Sequence, residues 1–349
     1  MAVSLRPVGG DPLDLYAKLV VWLDSGGAAD PLIVRTSGST GEPKDVVLSR
    51  DALLASATAT HERLGGAGQW WLGLPTTGVA GLQVLVRSVL AGRPPVTGDI
   101  TEAVAAMDRP RAYASLVPTQ LHRLATSGQL GALASFDAVL IGGASLRPDL
   151  LAAARDAGVT IVRTYGMSET CGGCVYDGIP LRDVELRIDH ARNVFLRGPV
   201  LFDGYGGRPD ATAAVMRDGW FATADLGELD ADGRLRILGR GDDVVISGGV
   251  NVSLPAVTQA LLAAPGVHDG LALGIPDPEW GSRVVAFVVA HVGTESGPNL
   301  ETLRDTVESA GLPRTWAPRE VMLLDELPLL PGGKVDRQQL LALAVRRAR

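Results

Sequence analysis

The chain is poor in cysteine. Its 349 residues hold two, Cys171 and Cys174, spaced C-x-x-C. A disulfide-stapled secreted scaffold is excluded, and a reduced, cytoplasmic setting is the expectation. One such pair also falls short of a structural zinc site, and only five histidines exist to complete it. Long apolar runs are missing as well. The longest, residues 284–289, reads as a buried strand and is far below the ~20 residues of a membrane helix. The N-terminal MAVSLRPVGGDP lacks the basic start and apolar stretch of a secretion signal. Basic charge is scarce too. A net charge of −7 argues against a nucleic-acid partner, whose phosphates require a basic face. The short cluster Arg346, Arg347 and Arg349 reads as a solvated helix end. Finally, no Gly-Lys-Ser/Thr phosphate loop is present.

What is there is an ordinary globular balance, 46% apolar and 20% charged, in a chain long enough for two domains. Strands at 31–35, 69–74, 113–117, 137–141 and 159–163 alternate with helical stretches at 50–64, 81–92, from Pro118, and at 147–157. Ser49 is the expected cap of the first helix, and Gly65-Gly66 its stop. That alternation predicts an α/β fold with a mostly parallel sheet. From 184 to 239 short strands and turn signals predict an antiparallel, hairpin-rich part. After Arg240 the pattern changes again. Helices at 253–264, 300–309 and from Asp336, with strands at 267–274, 283–291 and 320–324, predict a small α+β unit. The expected division is a large N-terminal domain, 1–239, and a small mobile C-terminal domain, 240–349.

Five stretches carry chemistry. TSGSTGEPK, residues 36–44, packs hydroxyls, glycines and a lysine into a loop that suits phosphate, although lone Gly/Ser clusters are common surface loops. YGMSET, residues 165–170, follows a strand, where open α/β sheets bind ligands. Tyr165 offers a flat face for a base, Ser168 and Thr170 hydroxyls, and Glu169 a carboxylate suited to magnesium held mainly by phosphates; a capped helix start is the plain alternative. In WFATADLG, residues 220–227, the Asp225 carboxylate can accept from two vicinal hydroxyls, as on a ribose, or sit in a turn. GRGDD, residues 239–243, lies where the pattern changes. PGGKVD, residues 331–336, places Lys334 in a glycine-flanked loop.

In this order these motifs are similar to those of the acyl-adenylate-forming superfamily, which includes acyl-CoA and aryl-CoA synthetases, luciferases and peptide-synthetase adenylation domains. The resemblance runs from about Leu32 to Leu340. It implies an ATP-dependent enzyme with magnesium and coenzyme A as cofactor and co-substrate. The loop Thr36, Ser37, Gly38, Ser39, Thr40, Gly41 and Lys44 would close over the β and γ phosphates. Gly142, Gly143 and Ala144 would border adenine and the acyl group. Tyr165 would stack on adenine, with Gly166 and Ser168 in the same nucleotide-binding turn. Glu169 would bind magnesium. Asp225 and Arg240 would hold the ribose. Lys334 would bridge the substrate carboxylate and the α-phosphate, which with Glu169 and Thr36 makes the implied catalytic set. Asp242 matches the hinge, and Ser247, Gly248 and Gly249 the segment beside the thiol tunnel.

Family members usually run much longer. The compact form resembles the o-succinylbenzoate–CoA ligases of menaquinone biosynthesis, of the short actinobacterial type, on the segments LPTTGVAGLQVLVRS, SLVPTQLHRL, VLIGGASL and YGMSETCGGCVYDGIPL. The implied reaction makes o-succinylbenzoyl-CoA through an acyl-adenylate. Two alternatives stay open: a ligase for another carboxylic acid, and a non-catalytic nucleotide-binding homologue. At Thr76-Thr77-Gly78 relatives generally carry a His or aromatic residue, and this chain does not. The second carboxylate of the acid needs a cation, for which Arg123 and then Arg87 are the candidates; Thr77 and Gly143 complete the expected acyl contacts. His122 reads as structural, and Cys171 and Cys174 as small residues lining the acyl pocket. Relatives of this kind are often dimers, and a homodimer is the arrangement the resemblance allows.

Overall fold

A hairpin of β1 (Ser4–Leu5) and β2 (Val8–Gly9) leads to Asp11, whose carboxylate caps α1 (Pro12–Asp24) by accepting from the N–H groups of Leu13 and Asp14. The computed structural model describes residues 4–25, 30–36, 43–107, 111–291, 297–328 and 335–347, the side chains of Asp242 and Arg347 excepted. The strand expected at 31–35 is β3 (Leu32–Thr36). It is one arm of a hairpin with β4 (Lys44–Leu48), an arm that the sequence reading lacks. Ser49 then caps α2 (Arg50–Arg63) as expected, its hydroxyl accepting from the Ala52 N–H at 3.2 Å.

The parallel sheet follows: β5 (Gln69–Trp71), α3 (Val79–Leu90), α4 (Ile100–Ala106), β6 (Ala112–Leu116), α5 (Pro118–Thr126), β7 (Ala138–Ile141), α6 (Pro148–Asp156) and β8 (Ile161–Met167). Neither α1 nor α4 is among the expected elements, although Asp99 caps α4 as Asp11 caps α1. Strand β9 (Gly172–Tyr176) runs antiparallel to β8 and pairs with β10 (Ile179–Pro180), giving the order β10-β9-β8-β7-β6-β5. Apolar residues fill both faces of this sheet. One face carries α1, α2 and α3 over Trp70, Tyr176 and their neighbours. The other carries α4, α5 and α6 over Trp71, Phe136 and Val139.

The hairpin-rich part contains β11 (Glu185–Ile188), β12 (Asn193–Arg197), β13 (Gly204–Tyr205), α7 (Pro209–Val215), β14 (Met216–Arg217), β15 (Trp220–Leu229) and β16 (Leu235–Arg240). Its sheet runs β11-β12-β15-β14, with β16 also on β15. Strand β13 instead joins the hairpin, in the order β13-β4-β3.

By its contacts the chain divides into two units. One holds the described residues up to Asp189 with Val194–Thr223 and Leu229–Arg236; the other holds His190–Asn193, Ala224–Glu228 and the chain from Ile237. In the second unit lie β17 (Val244–Ser247), β18 (Val250–Ser253), α8 (Leu254–Leu262), β19 (Val267–Asp277), β20 (Gly281–Ala290), α9 (Leu300–Ser309), β21 (Glu320–Leu324) and α10 (Arg337–Arg347). The long hairpin β19–β20 is central, with β21 parallel to β20. Residues 284–289 are buried in β20, as their apolar run predicts. Among the described residues, no helix is long and apolar enough to cross a membrane.

Candidate active site

In the first unit Gly142, Gly143, Tyr165 and Glu169 lie at or just beyond the C-terminal ends of two paired parallel strands, β7 and β8. Gly142 follows β7, and its N–H donates to the Leu116 carbonyl at 3.2 Å. A Cβ on Gly142 would lie 2.4 Å from Thr164 Oγ1, and Gly143 has φ +81°, so this turn needs both glycines. Ala144 beyond it is exposed. Tyr165 and Gly166 lie on β8 itself rather than after it, at a bulge against β9. A bulge re-aims side chains and is a common neighbour of sites. A Cβ on Gly166 would lie 2.0 Å from the Gly172 carbonyl oxygen.

Ser168–Thr170 forms one 3-10 turn, in which Ser168 is not the cap; Met167 is. The Thr170 hydroxyl accepts from the Met167 N–H at 2.9 Å and fixes the turn. Glu169 is half-buried, and its Oε1 accepts from the Tyr205 hydroxyl at 2.8 Å. Its backbone oxygen accepts from the Phe202 N–H at 2.9 Å. Among the described residues Glu169 has no cationic partner, and no group of three His, Cys, Asp or Glu side chains is placed to hold a metal. One oriented carboxylate without such a cluster fits a magnesium that arrives on nucleotide phosphates and keeps several waters.

Thr36 and Lys44 are cross-strand partners in the β3–β4 register, with Thr36 Oγ1 donating to the Lys44 carbonyl at 3.4 Å. Arg35 and Asp45 make a bidentate pair one step away, at 2.7 and 3.0 Å. The hydroxyl-rich loop is therefore slung between two antiparallel strands, unlike the strand-to-helix phosphate loop. Ser37, Gly38, Ser39, Thr40 and Gly41 lie outside the described residues. The Lys44 ammonium sits 5.0 Å from the centre of the Tyr205 ring.

A cavity of about 550 Å³ opens beyond β5 and β6, lined by Trp71, Leu72, Leu74, Pro75, Leu116 and Leu124, with Gln120 and Arg123 among its polar groups. Gln120 caps its own helix by accepting from the Val117 N–H at 3.1 Å and donates to the Gly73 carbonyl. Arg123 is exposed and has no ionic partner among the described residues. Asp99 also lines the cavity, but its Oδ1 already accepts from the N–H groups of Thr101 and Glu102. Thr77 is exposed and lies beside Gly9, two residues beyond the cavity-lining Pro75.

Arg87, the second expected cation for the acid, is 3% exposed in the core, its guanidinium 4.9 Å from the Trp70 ring centre. It donates to the Tyr176 hydroxyl at 3.4 Å, and its Nε has no partner among the described residues. Cys171 and Cys174 are likewise core residues at 0% exposure, where burial pushes the Cys174 thiol up to about 12 and the Cys171 thiol higher. His122 is exposed on α5. The hydroxyl of Tyr205 and the side chain of Gln120 are site features that sequence reasoning missed. Tyr205 sits in DGYGG, which reads as a turn.

The second unit holds the remaining motif residues. Asp225 is half-buried on β15, and two residues on the Gly227 N–H donates to the Arg192 carbonyl at 2.9 Å. Arg240 ends β16 beside Gly239, where φ is +133° and a Cβ would lie 2.6 Å from Pro255. Asp242 falls in the Gly241–Asp243 turn, and its side chain lies outside the described residues. Ser247 is buried with its hydroxyl unpartnered. Gly248 and Gly249 both have positive φ, and Gly248 packs under the Trp280 ring. Lys334 lies outside the described residues.

The profile of AMP-binding enzymes matches residues 30–195, and that of the AMP-binding enzyme C-terminal domain matches residues 256–334. A probable 2-succinylbenzoate–CoA ligase of Mycobacterium tuberculosis is 45% identical over 321 residues, covering 88% of this chain and 83% of the relative. The chain belongs to the AMP-binding enzyme family. Among solved structures, this AMP-binding enzyme is similar to the o-succinylbenzoate CoA synthetase of Bacillus subtilis in complex with the acyl-adenylate intermediate OSB-AMP. That match has a TM-score of 0.74 and 28% identity, over 88% of this chain and 68% of the other. The same synthetase in complex with ATP and magnesium ion matches with a TM-score of 0.72 and 28% identity, over 88% and 69% of the two chains.

Proposed function

We propose that this AMP-binding enzyme is an ATP- and magnesium-dependent acid–thiol ligase that converts o-succinylbenzoate to o-succinylbenzoyl-CoA in menaquinone biosynthesis. In the first step a carboxylate oxygen forms a bond to the α-phosphorus and pyrophosphate leaves. In the second the CoA thiolate bonds to the acyl carbon and AMP leaves. Support for the reaction class comes from the relatives above and from Glu169, Tyr165 and the Gly142-Gly143 turn at adjacent strand ends. The single observation that carries the acid is Arg123, a cation without an ionic partner among the described residues, on the wall of a mainly apolar 550 Å³ cavity. An aromatic acid with a second carboxylate suits that combination.

Magnesium would be held by Glu169 and the nucleotide phosphates, and it would offset charge as pyrophosphate leaves. The chain's residues then divide the work. Thr36, Lys44 and the loop between them cover the outer phosphates. Tyr165, with Gly166 and Ser168, takes the base, and Asp225 and Arg240 the ribose hydroxyls. Lys334 approaches the carboxylate being activated. The second part of the chain, 240–349, turns about Asp242 between the two steps, which brings Ser247, Gly248 and Gly249 beside the thiol. The reading carries a cytoplasmic location and a homodimer, the latter tested by sedimentation of the purified chain.

The deciding experiment measures AMP and CoA-thioester formation with ATP, magnesium, CoA and o-succinylbenzoate, benzoate, succinate or hexanoate. Strong preference for o-succinylbenzoate is expected; equal use of the monocarboxylates would discard the acid and keep the ligase. Lys334→Ala should abolish acyl-adenylate formation and leave thioester formation from supplied acyl-AMP largely intact. Equal loss of both would remove Lys334 from the first step.

A further inference from the structure

We propose that Tyr205 is a positioning residue for the adenylation step. Its hydroxyl orients the Glu169 carboxylate, and its ring keeps the Lys44 ammonium off that carboxylate, so both charges stay open to incoming ligands. The inference rests on the function proposed above.

Three observations carry it. The Tyr205 hydroxyl donates to Glu169 Oε1 at 2.8 Å and leaves Oε2 without a hydrogen bond among the described residues. The other side of the contact is the ring itself, with Lys44 Nζ 5.0 Å from its centre. Neither Lys44 nor Glu169 has an ionic partner among the described residues. A lysine on a flexible four-carbon stem normally finds a nearby carboxylate. Here one aromatic side chain contacts both, Lys44 by its face and Glu169 by its hydroxyl.

The ring is held so that it can do this. Tyr205 is 7% exposed, and its partner Phe202 meets it edge-on at 5.0 Å. Strand β13 pairs with β4 in the register Tyr205 to Val46, two residues from Lys44. The Tyr205 N–H donates to Thr212 Oγ1 at 2.9 Å. Gly204 has φ +144°, and a Cβ there would lie 2.9 Å from Thr212, so the approach to Tyr205 is fixed.

The test uses the whole chain and three variants, Tyr205→Phe, Tyr205→Leu, and Tyr205→Leu combined with Lys44→Met. Calorimetry reads ATP binding without acid as magnesium is raised, and thermal unfolding reads the fold. The phenylalanine variant keeps the ring and loses the donor. It should raise the magnesium concentration for half-maximal ATP binding about 10-fold, the low end for loss of a partner behind a metal ligand. The leucine variant also frees Lys44 to pair with Glu169 and should raise it further, toward about 100-fold. Adding Lys44→Met removes a phosphate contact and weakens ATP binding itself; with ATP raised to match, it should bring the magnesium midpoint back toward the phenylalanine value. Unchanged magnesium dependence in Tyr205→Phe and Tyr205→Leu, with only the unfolding temperature moved, overturns the proposal. ATP binding by the unmodified chain without acyl-adenylate formation from any acid would sink the ligase reading while these comparisons still decide Tyr205. No ATP binding at all would sink both.

Discussion

The two faces of the six-stranded sheet each carry an arginine on a helix, and they treat it in opposite ways. On the α3 face, Arg87 is sealed into the core against Trp70, with His61 hydrogen-bonded to the same indole at 3.1 Å and Tyr176 bonded to Thr60 at 2.9 Å. On the α5 face, Arg123 is exposed on a cavity wall. Both have a leucine two residues before them in sequence, in LQVLVRS and in PTQLHRL. The difference is in what surrounds them after folding. One guanidinium is buried against rings and a phenol, with its Nε unpartnered among the described residues; the other is open to a ligand. A buried charge without a carboxylate is a costly arrangement, and burial pulls the Arg87 guanidinium below its ordinary range.

The largest effect that would sharpen this contrast is at Arg87. Arg87→Ala leaves a void beside Trp70 and should cost about 3 kcal/mol of stability, the usual scale for a large truncation in a core. Arg87→Met keeps the volume and removes the charge, and should stay within about 1 kcal/mol of the original. Urea unfolding measures both. If the methionine variant were as unstable as the alanine one, charge rather than packing would define that face.

His61 adds a pH signature to the same face. Burial, and then the Arg87 charge, lower its pKa to about 4, against ~6.5 for an unfolded histidine. Between those values the unfolded chain binds more protons than the folded one. Stability therefore falls as pH drops from 6.5 towards 4, by up to about 3 kcal/mol. His61→Gln, which keeps an acceptor for Trp70, should flatten that limb in unfolding measured across this range. An unaltered acid limb would show that His61 is already protonated in the fold.

The smallest expected effect on stability is at Arg123. Arg123→Ala should leave unfolding within about 0.5 kcal/mol, as surface changes usually do. It should raise KM for o-succinylbenzoate about tenfold or more and leave KM for ATP alone, in line with loss of one charged hydrogen bond to a substrate. An unchanged KM for the acid would make Arg123 a solvated surface residue and the two faces alike in function.

Much of this was legible in the chain. Alternating strands and helices predicted the parallel sheet, and Ser49, Pro118 and Gly65 marked their helices where they occur. Order and spacing also picked out Tyr165 and Glu169, which the fold places on β8 and in the turn after it. What was hidden has a common cause. The role of Tyr205 exists only because β13 crosses to pair with β4, more than 150 residues away in sequence, and no local pattern reports that pairing. The same holds for β4, which turns the hydroxyl-rich loop into a hairpin connection. The burial of Arg87 was hidden because a charged residue in an apolar helix looks like a functional exception. Only its tertiary neighbours show that aromatic rings enclose it.

The approach of β8 to β9 has a consequence for how this chain can drift. A side chain at Gly166 would begin 2.0 Å from a backbone oxygen of Gly172, which no rotamer can relieve. Every amino acid one base change from a glycine codon carries a Cβ. Position 166 therefore has no tolerated single-step neighbour in sequence space, and substitutions that redesign the ligand must enter through the residues around it.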